Sequence, residues 1–461
     1  MNTLENTITT MGLLSKEAYN VGNFQIGAEI TANNQTYKVI DYVSTASDFQ
    51  ALLLQDASGK FVMAFRGTTN NADWLNNVGI GFKNINKQYN DAKEFLEKAI
   101  KDYGVTIDNL TLTGHSLGGI LTQQVGATYG IKGYAFNPYG TDRLLSLPES
   151  PFDGITSNFL YGLLTSLAEK VMSAVGLTKA NAQWAYEHIY NISYQDEGLL
   201  NGDILSNLAT ELSSNHLGHF IPILGENVGF GEGHYMETLN TAIAEYNNIV
   251  QKFDNSCRYE DITQMYLSTA IIHGSGYKKV RDEFKKLGIL NENGANDKIA
   301  NNSLHLEVIA KDTDTTSIFS GSNLSTPALY ALVNLNPFIV SGVNSNAYSE
   351  LEKYKDEYSE NYIKDKAKMF KALMDTPKVG SYYDDYETGK KISYYTSVTD
   401  PDSTDEYNLT DTAYTFGTNK NDIVTASVGK ANRIYTLAGD DTIKLTGGSN
   451  YKFINLNLLV A

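Results

Sequence analysis

The strongest constraint on the fold is a glycine-rich segment, residues 114–119 with the sequence GHSLGG. An apolar stretch from Leu110 to Thr113 precedes it, and a helical pattern from Ile120 to Ala127 follows it. A sharp strand-to-helix turn needs glycines two positions either side of its central residue, because Cβ atoms there would collide with the crossing elements. The segment therefore predicts a strand–turn–helix unit with Ser116 at its apex.

Patterns on both sides of this unit extend it to a domain. Strand-like and helix-like stretches alternate over about the first 250 residues, which predicts an α/β fold. The predicted elements are a hairpin of Phe49–Gln55 and Lys60–Phe65, a helix over Gln88–Tyr103, strands at Gly133–Phe136 and His188–Tyr194, and a helix over Met236–Val250.

A chain of 461 residues is longer than one hydrophobic core usually serves. We expect an α/β domain over residues 1–255, a mainly helical region over 256–399, and a small β-rich segment over 400–461. The last segment mixes Thr, Val, Ile and Tyr with Gly, Asn and Asp, a composition typical of strands and turns.

Charge and composition exclude several classes of protein. The net charge of −17, with 53 acidic and 36 basic residues, argues against a nucleic-acid partner. The sequence has no run of eighteen apolar residues, so no transmembrane helix is predicted. The single cysteine, Cys257, excludes an internal disulfide framework. The first twenty residues lack the pattern of a standard secretory signal peptide.

The turn at Ser116 also predicts chemistry. A serine at such an apex is a candidate nucleophile, and the N–H of Leu117 can stabilise an oxyanion at the start of the following helix. A second motif, Phe65–Thr69, ends the earlier buried strand, and Trp74 follows soon after. The loop after that strand supplies a second oxyanion donor in this kind of site, which points to Thr68.

A serine nucleophile needs a histidine on a loop that follows the last strand. His234 fits, because a glycine-rich loop precedes it and a helical pattern follows. His188 is predicted to lie within a strand, and structural roles are expected for His216 and His219. Two further histidines, His273 and His305, fall beyond the α/β domain.

The acid that would orient this histidine stays open among three residues. Asp196 and Glu197 come directly after the strand that begins at His188, where a carboxylate can accept the imidazole Nδ1–H. Asp203 begins an Asp-x-x-Ser-Asn-Leu block, but it stands further from the strand. We favour Asp203 narrowly over Asp196. The alternative role of Asp203 is the N-cap of a helix.

The Arg66-Gly67-Thr68 motif with Trp74, followed by the 114–119 segment, resembles the class 3 lipases, including bacterial triacylglycerol lipases and phospholipases A1. The Asp203 block and the Gly-His-x-Met stretch at His234 are similar to motifs of that family. The resemblance implies an α/β-hydrolase fold and hydrolysis of lipid esters by a Ser-His-Asp triad through an acyl-enzyme, with no cofactor for catalysis. Its expected partner is a lipid or phospholipid at a lipid surface.

Two apolar segments are candidate lids over such a site. Thr69–Phe82 follows the oxyanion motif, and Ile155–Gly176 is amphipathic. Packing as ordinary core elements explains either segment equally well. The residues do not separate a phospholipid from a triglyceride substrate.

The C-terminal segment contains two degenerate copies of a glycine- and aspartate-rich nonapeptide, at residues 417–424 and 439–443. They resemble the calcium-binding repeats of type I secreted proteins, in which the aspartates bind Ca²⁺. The resemblance implies a structural Ca²⁺ site at Asp422 and Asp441 and export without an N-terminal signal peptide. A small metal-free β domain fits the same residues.

Two other functions fit part of the sequence. One is a repeat-bearing surface or toxin-like binding protein whose hydrolase domain is only a scaffold. The other is a short-chain esterase or thioesterase, which keeps the chemistry and changes the substrate. Reaction with a fluorophosphonate separates the first from an enzyme, and a chain-length series of esters tests the second.

Overall fold

The structure is a computed structural model of the 461-residue chain. It describes residues 3–67, 74–138, 179–196, 217–226, 228, 232–291, 299–311, 313–320, 324–374, 382–392, 412–427, 431–445 and 452–456. The chain divides into two compact units. Unit 1 comprises residues 1–250 and 258–260, and unit 2 comprises residues 251–257 and 261–461.

Unit 1 is built on a sheet that has eight strands in the described part of the chain, arranged in sequence order. The first four strands pair antiparallel, and from β4 to β8 all neighbours are parallel. The strands are β1 Glu29–Ala32, β2 Gln35–Ser44, β3 Gln50–Asp56, β4 Phe61–Phe65, β5 Leu110–His115, β6 Gly133–Phe136, β7 Ile189–Asp196 and β8 His219–Gly225. Parallel strands bring their carboxyl ends to one edge, where sites of α/β proteins form.

Helices accompany this sheet. They are α1 Thr3–Glu17, α2 Trp74–Tyr103, α3 Leu117–Tyr129, α4 Lys179–His188 and α5 Met236–Val250. Short 3-10 turns cover Ala18–Asn23, Ile107–Asn109 and Glu232–His234. Apolar side chains of β3, β4, β5, α2 and α3 form one buried core, which includes Leu53, Met63, Leu96, Leu112 and Ile120.

The α/β prediction is confirmed, and so are the hairpin, the strand at Gly133–Phe136 and the helix at Met236–Val250. The placement of His188 in a strand is wrong. His188 ends α4, where its ring stacks on Trp184 with 4.5 Å between centroids. Its Nδ1 lies 2.9 Å from the Trp184 carbonyl, so the side chain completes the helix end and the strand starts at Ile189.

The two candidate lids are tested only in part. Residues 74–82 belong to the long helix α2, whose first side chains lie outside the described residues. The Ile155–Gly176 segment also lies outside them. Among the helices that the structure describes, none is long and apolar enough to cross a membrane.

The chain beyond Val250 is mainly helical up to Met374. Its helices in the described residues are α6 Tyr259–His273, α7 Tyr277–Lys286, α8 Thr315–Ile318, α9 Thr326–Val333, α10 Asn346–Lys353 and α11 Glu360–Met374, with a 3-10 turn at Lys355–Glu357. Strands β9 His305–Val308 and β10 Phe338–Ser341 pair antiparallel. A mainly helical region is thus confirmed, while its limits at residues 255 and 399 stay predictions.

In the last part of the chain, most of the described strands stack in parallel in successive turns of the backbone, which we call coils. Its strands are β11 Tyr382–Asp385, β12 Lys391–Ile392, β13 Thr412–Phe416, β14 Ile423–Thr425, β15 Ala431–Tyr435, β16 Thr442–Lys444 and β17 Lys452–Leu456. One sheet stacks β11, β13, β15 and β17 in parallel, and a second pairs β14 with β16. The apolar Val424 and Ile443 belong to one small core with Ile434. The β-rich prediction is confirmed for the described residues.

Candidate active site

Ser116 occupies the sharp turn between β5 and α3. Its φ of 55° and ψ of −118° lie in a region that side chains with a Cβ atom rarely adopt. Its N–H donates to the Phe136 carbonyl at 3.0 Å, which fixes the turn against β6. The strained backbone presents the Ser116 side chain beyond the carboxyl end of β5.

The neighbouring glycines explain why the sequence can form this turn. A Cβ atom on Gly114 would overlap the carbonyl group of Gly118, and one on Gly118 would overlap the Phe65 carbonyl group at the end of β4. A Cβ atom on Gly119 would come within 2.8 Å of Pro138. The motif therefore reflects backbone crossings that any larger residue would prevent.

His234 lies beside this serine although 118 positions separate them in the sequence. The His234 Nε2 atom is 3.0 Å from the Ser116 Oγ, which is hydrogen-bonding distance. His234 ends the 3-10 turn Glu232–His234, just before α5, and its side chain is partly buried. This geometry places a candidate nucleophile beside a candidate base, the arrangement that hydrolysis through a covalent intermediate requires.

The backbone of His234 is held by two side chains. His115 places its Nε2 atom 2.7 Å from the His234 carbonyl oxygen. Asn137 donates from Nδ2 to the same oxygen at 2.9 Å and to the Gly233 oxygen at 3.0 Å. The short turn that carries His234 is therefore tied to β5 and β6.

Asn137 also connects this turn to β7. Its φ is 41°, its N–H donates to the Ile192 carbonyl at 2.8 Å, and its Oδ1 accepts from the Tyr194 N–H at 2.8 Å. The Tyr194 ring lies against Gly233, where a Cβ atom would come within 2.5 Å of the ring. One amide side chain thus aligns the ends of β6 and β7 with the His234 turn.

Burial keeps both histidines neutral near pH 7. Desolvation lowers the pKa of His234 to about 3, with a smaller contribution from neighbouring His115. Desolvation also lowers the pKa of His115 to about 4, against a hydrogen bond to the His234 backbone that raises it. A neutral imidazole next to a serine hydroxyl can accept its proton, which is the role of a general base.

The oxyanion donors are described only in part. Leu117 is the first residue of α3, so its N–H stands at a helix N-terminus, where intrahelical partners are missing. Thr68 lies outside the described residues. Gly67 just before it packs tightly against the Tyr19 hydroxyl, and Arg66 is bound by its guanidinium to Asp48 at 2.6 Å.

The candidate acids are not resolved by the described residues. Asp196 ends β7 and pairs with Gly225 of β8, which places its backbone at the carboxyl edge of the sheet. Its side chain, Glu197 and Asp203 all lie outside the described residues. The choice between Asp203 and Asp196 therefore stays a prediction.

The geometry of the coils bears on the predicted calcium site. Asp422 Oδ2 accepts the Thr418 N–H at 2.6 Å, and Asp441 Oδ1 accepts the Asp422 N–H at 2.8 Å. Calcium needs six to eight oxygen ligands. The described residues contain no group of three or more His, Cys, Asp or Glu side chains placed to hold a metal ion. Both carboxylates accept turn N–H groups, and two acidic side chains alone supply fewer oxygens than Ca²⁺ needs, so a calcium site at Asp422 and Asp441 stays a prediction.

Three residues of the site were not predicted from the sequence: Tyr19, His115 and Asn137. His115 was visible only as a variable position of the serine motif. Asn137 directly follows a predicted strand, and an asparagine there is a weak signal for a positive φ. Tyr19 carries no local signal, because its partner lies 96 positions away.

Comparison with known proteins agrees with this site. Residues 10–144 match a family named phospholipase-like, described as a Tle-like phospholipase domain. Over this segment the chain is similar to that family. It is also 32% identical over 153 residues to an extracellular phospholipase A1 of Serratia liquefaciens, in an alignment that covers 29% of this chain. The chain spans just under half, 46%, of the length of that curated relative.

Solved structures with similarity to the chain include ester hydrolases. A ferulic acid esterase is 14% identical with a TM-score of 0.22, covering 45% of this chain and 94% of its own. An S-formylglutathione hydrolase from Agrobacterium tumefaciens is 12% identical with a TM-score of 0.26, and the match covers 49% of this chain and 97% of the hydrolase. The turn at Ser116 on the parallel sheet of unit 1 is the arrangement of an α/β-hydrolase fold.

Proposed function

We propose that the protein is a serine hydrolase that cleaves carboxylic esters of lipids. The observation that carries the proposal is the 3.0 Å contact between Ser116 Oγ and His234 Nε2 at a strained strand-to-helix turn. The likeness of residues 10–144 to phospholipases supports it, and so does the identity to a phospholipase A1.

In the proposed mechanism His234 takes the hydroxyl proton as Ser116 attacks the ester carbonyl. The carbonyl oxygen becomes an oxyanion, which the N–H groups of Leu117 and Thr68 stabilise. The alcohol leaves with the proton held by His234, and an acyl-enzyme remains on Ser116. Water activated by the same imidazole then releases the fatty acid. Asp203, or Asp196, orients the imidazole and needs no metal to do so.

The proposed substrate is a phospholipid or a triglyceride at a lipid surface. The proposed location is outside the cell, by analogy with the Serratia liquefaciens relative, an extracellular phospholipase A1. Type I export through the C-terminal coils is the route that the repeat-like sequences favour. A short-chain esterase remains the second function, and the chain length of the preferred ester separates the two.

Replacement of the nucleophile tests the proposal. Ser116→Ala should lower kcat on a long-chain p-nitrophenyl ester by about 10⁴-fold or more, because the base then has no nucleophile to activate. A fluorophosphonate should label the wild-type chain but not this variant. Ser320→Ala, at an exposed serine of unit 2, is the matched control and should react like the wild type.

The substrate class needs its own measurement. Rates should rise with acyl length along a series of p-nitrophenyl esters, and vesicles of phosphatidylcholine with labelled sn-1 and sn-2 chains should release fatty acid. Preferential release from sn-1 identifies a phospholipase A1. Hydrolysis confined to short acyl chains identifies the esterase instead, and a Ser116→Ala protein that keeps most of its activity refutes both.

A further inference from the structure

The side chain of His115 reaches the catalytic centre from the position just before Ser116. It is buried, with 5% of its surface exposed, and its ring centroid is 5.0 Å from that of His234. Its Nε2 atom lies 2.7 Å from the His234 carbonyl oxygen. His115 therefore contacts the backbone of the proposed base, and the reacting Nε2 atom of His234 stays directed at the serine.

The partners of His115 determine where its proton sits. A carbonyl oxygen only accepts, so the Nε2 atom that faces it must carry the hydrogen. The ring is neutral, since burial lowers its pKa to about 4, and its Nδ1 atom is then an acceptor. The Tyr19 hydroxyl is 2.6 Å from Nδ1 and donates to it. With the opposite tautomer, a nitrogen lone pair would face the carbonyl oxygen at 2.7 Å.

Tyr19 comes from a different part of the fold. It lies in the 3-10 turn Ala18–Asn23 that follows α1, and its ring packs 5.8 Å from the His115 ring. The same hydroxyl lies against Gly67, where a Cβ atom would overlap it. Gly67 directly precedes Thr68, the proposed oxyanion donor. One hydroxyl group thus contacts both the His115 ring and the loop that leads to Thr68.

The turn that Tyr19 and His115 support is short. Glu232–His234 has three residues and leads directly into α5. A displacement of about 1 Å at a reacting group can cost about 10²-fold in rate. The His234 carbonyl receives its two donors, His115 and Asn137, from separate strand ends, so each limits a different rotation of the turn.

We propose that Tyr19 and His115 are positioning residues for the reaction. The Tyr19 hydroxyl donates to Nδ1 and supports the His115 tautomer whose Nε2–H donates to the His234 carbonyl, and this contact holds the imidazole on Ser116. This inference rests on the proposed function. It assigns to the turn after α1 a role in setting kcat, and it predicts that the two residues act in series.

The test compares substitutions that differ in reach. In His115→Asn the amide is too short to reach the His234 carbonyl, so kcat on a soluble p-nitrophenyl ester should fall about 10- to 100-fold with KM unchanged. In His115→Gln the amide nitrogen can occupy the position of Nε2, so this variant should recover most of the lost kcat. Tyr19→Phe, which removes only the hydroxyl, should lower kcat about tenfold.

Coupling distinguishes positioning from a general loss of stability. Because Tyr19 acts through His115, Tyr19→Phe should cause no further loss in the His115→Asn background. Tyr348→Phe is the matched control: it removes a buried hydroxyl that donates to the Val340 carbonyl at 2.7 Å in unit 2, and its kcat should equal that of the wild type. Fluorophosphonate labelling rates should follow kcat across the series.

Three results would overturn the inference: a wild-type kcat in Tyr19→Phe, equal losses in the Asn and Gln variants of His115, or independent effects in the double variant. Each requires that Ser116→Ala, measured in parallel, is inactive. An active Ser116→Ala protein would instead overturn the proposed function. Circular dichroism and melting temperatures identify any variant that fails to fold. If a His115 variant fails to fold, the kcat of Tyr19→Phe, the smallest change, decides whether the inference stands.

Discussion

At the scale of single residues, the proposed nucleophile Ser116 has a strained backbone conformation. Its φ of 55° and ψ of −118° suit glycine better than any residue with a Cβ atom, and its side chain makes no capping hydrogen bond to α3. Strain of this kind costs on the order of 1–3 kcal/mol and persists at functional sites because the surroundings hold it. On the proposed function, the hydroxyl is the reason for a serine at a position where backbone strain lowers the stability.

A glycine should therefore stabilise the fold at this position. We expect Ser116→Gly to unfold with a free energy about 1 kcal/mol larger than that of Ser116→Ala, because glycine relieves the strain and loses part of the gain through chain entropy. Both variants lack the hydroxyl, so the comparison isolates the backbone. Urea denaturation measures it, and equal stability of the two variants would show that the turn is unstrained.

His115 makes the stability of unit 1 depend on pH. Its pKa is about 4 in the folded chain and about 6.5 when unfolded, so the unfolded chain binds the proton first as the pH falls. The contribution of neutral His115 to the free energy of unfolding is fully present above pH 6.5. It decreases as the pH falls towards 4, by up to about 3 kcal/mol. Unfolding by urea at pH 7, 5.5 and 4.5 should show a shallower loss in His115→Gln; identical slopes would contradict the assignment.

The sequence identified residues whose signals are local. Ser116 stands in a six-residue motif whose glycines are required by backbone crossings, and His234 follows a glycine-rich loop before a helix. Tyr19 and Asn137 could not be found, because their roles depend on partners 96 or more positions away. Such contacts exist only once the sheet has brought the strand ends together.

At the scale of elements, the C-terminal coils are held by side chains that bond to the next coil. The Asp441 carboxylate accepts the Asp422 N–H at 2.8 Å, and the Asn421 side chain accepts the Asp440 N–H at 2.9 Å. Both bonds join residues 19 positions apart. The Asp441 carboxylate therefore links two successive turns, whereas the Asp422 carboxylate accepts the Thr418 N–H within its own turn.

Neighbouring aspartates test this role. Asp441→Ala removes an acceptor and should lower the stability of unit 2 by about 1–2 kcal/mol, whereas Asp440→Ala should be neutral, because only its backbone N–H takes part in the link. The melting temperature measures both. Chelation with EGTA should change neither the wild-type melting nor hydrolysis of a soluble ester.

A calcium site would give a different pattern. The melting temperature of the wild type would then rise at millimolar Ca²⁺ and fall in chelator, because a ligand bound only by the folded state stabilises that state. Asp441→Ala would lose that response and Asp440→Ala would keep it. This result would show that Ca²⁺ binds at the predicted site and would support the proposed export through the coils.

At the scale of the whole molecule, the contacts described here for the candidate active site lie within unit 1, from Tyr19 to His234. The alternation of patterns predicted its α/β class correctly, because buried parallel strands have continuous apolar runs. It missed the strands β1, β2 and β8 and the helices α1 and α4. Unit 2 was predicted as helices followed by strands, but the parallel order of the strands is a tertiary property that composition does not contain.

The spacing of the coils also limits how their length can vary. Thr412 pairs with Ala431 and Ile423 with Thr442, so each position lies beside its counterpart one coil later. An insertion or deletion of one residue within β14 or β16 would shift the later partners of that ladder and turn Ile443 away from Val424. Gain or loss of a complete coil keeps all of these neighbours. The connections between strands can differ in length, since Ala431 pairs with Lys452 and Arg433 with Asn455 at a larger offset in the next ladder. Length changes that preserve the β14–β16 contacts should therefore come in steps of one whole coil, as duplications of a gene segment of that length would supply.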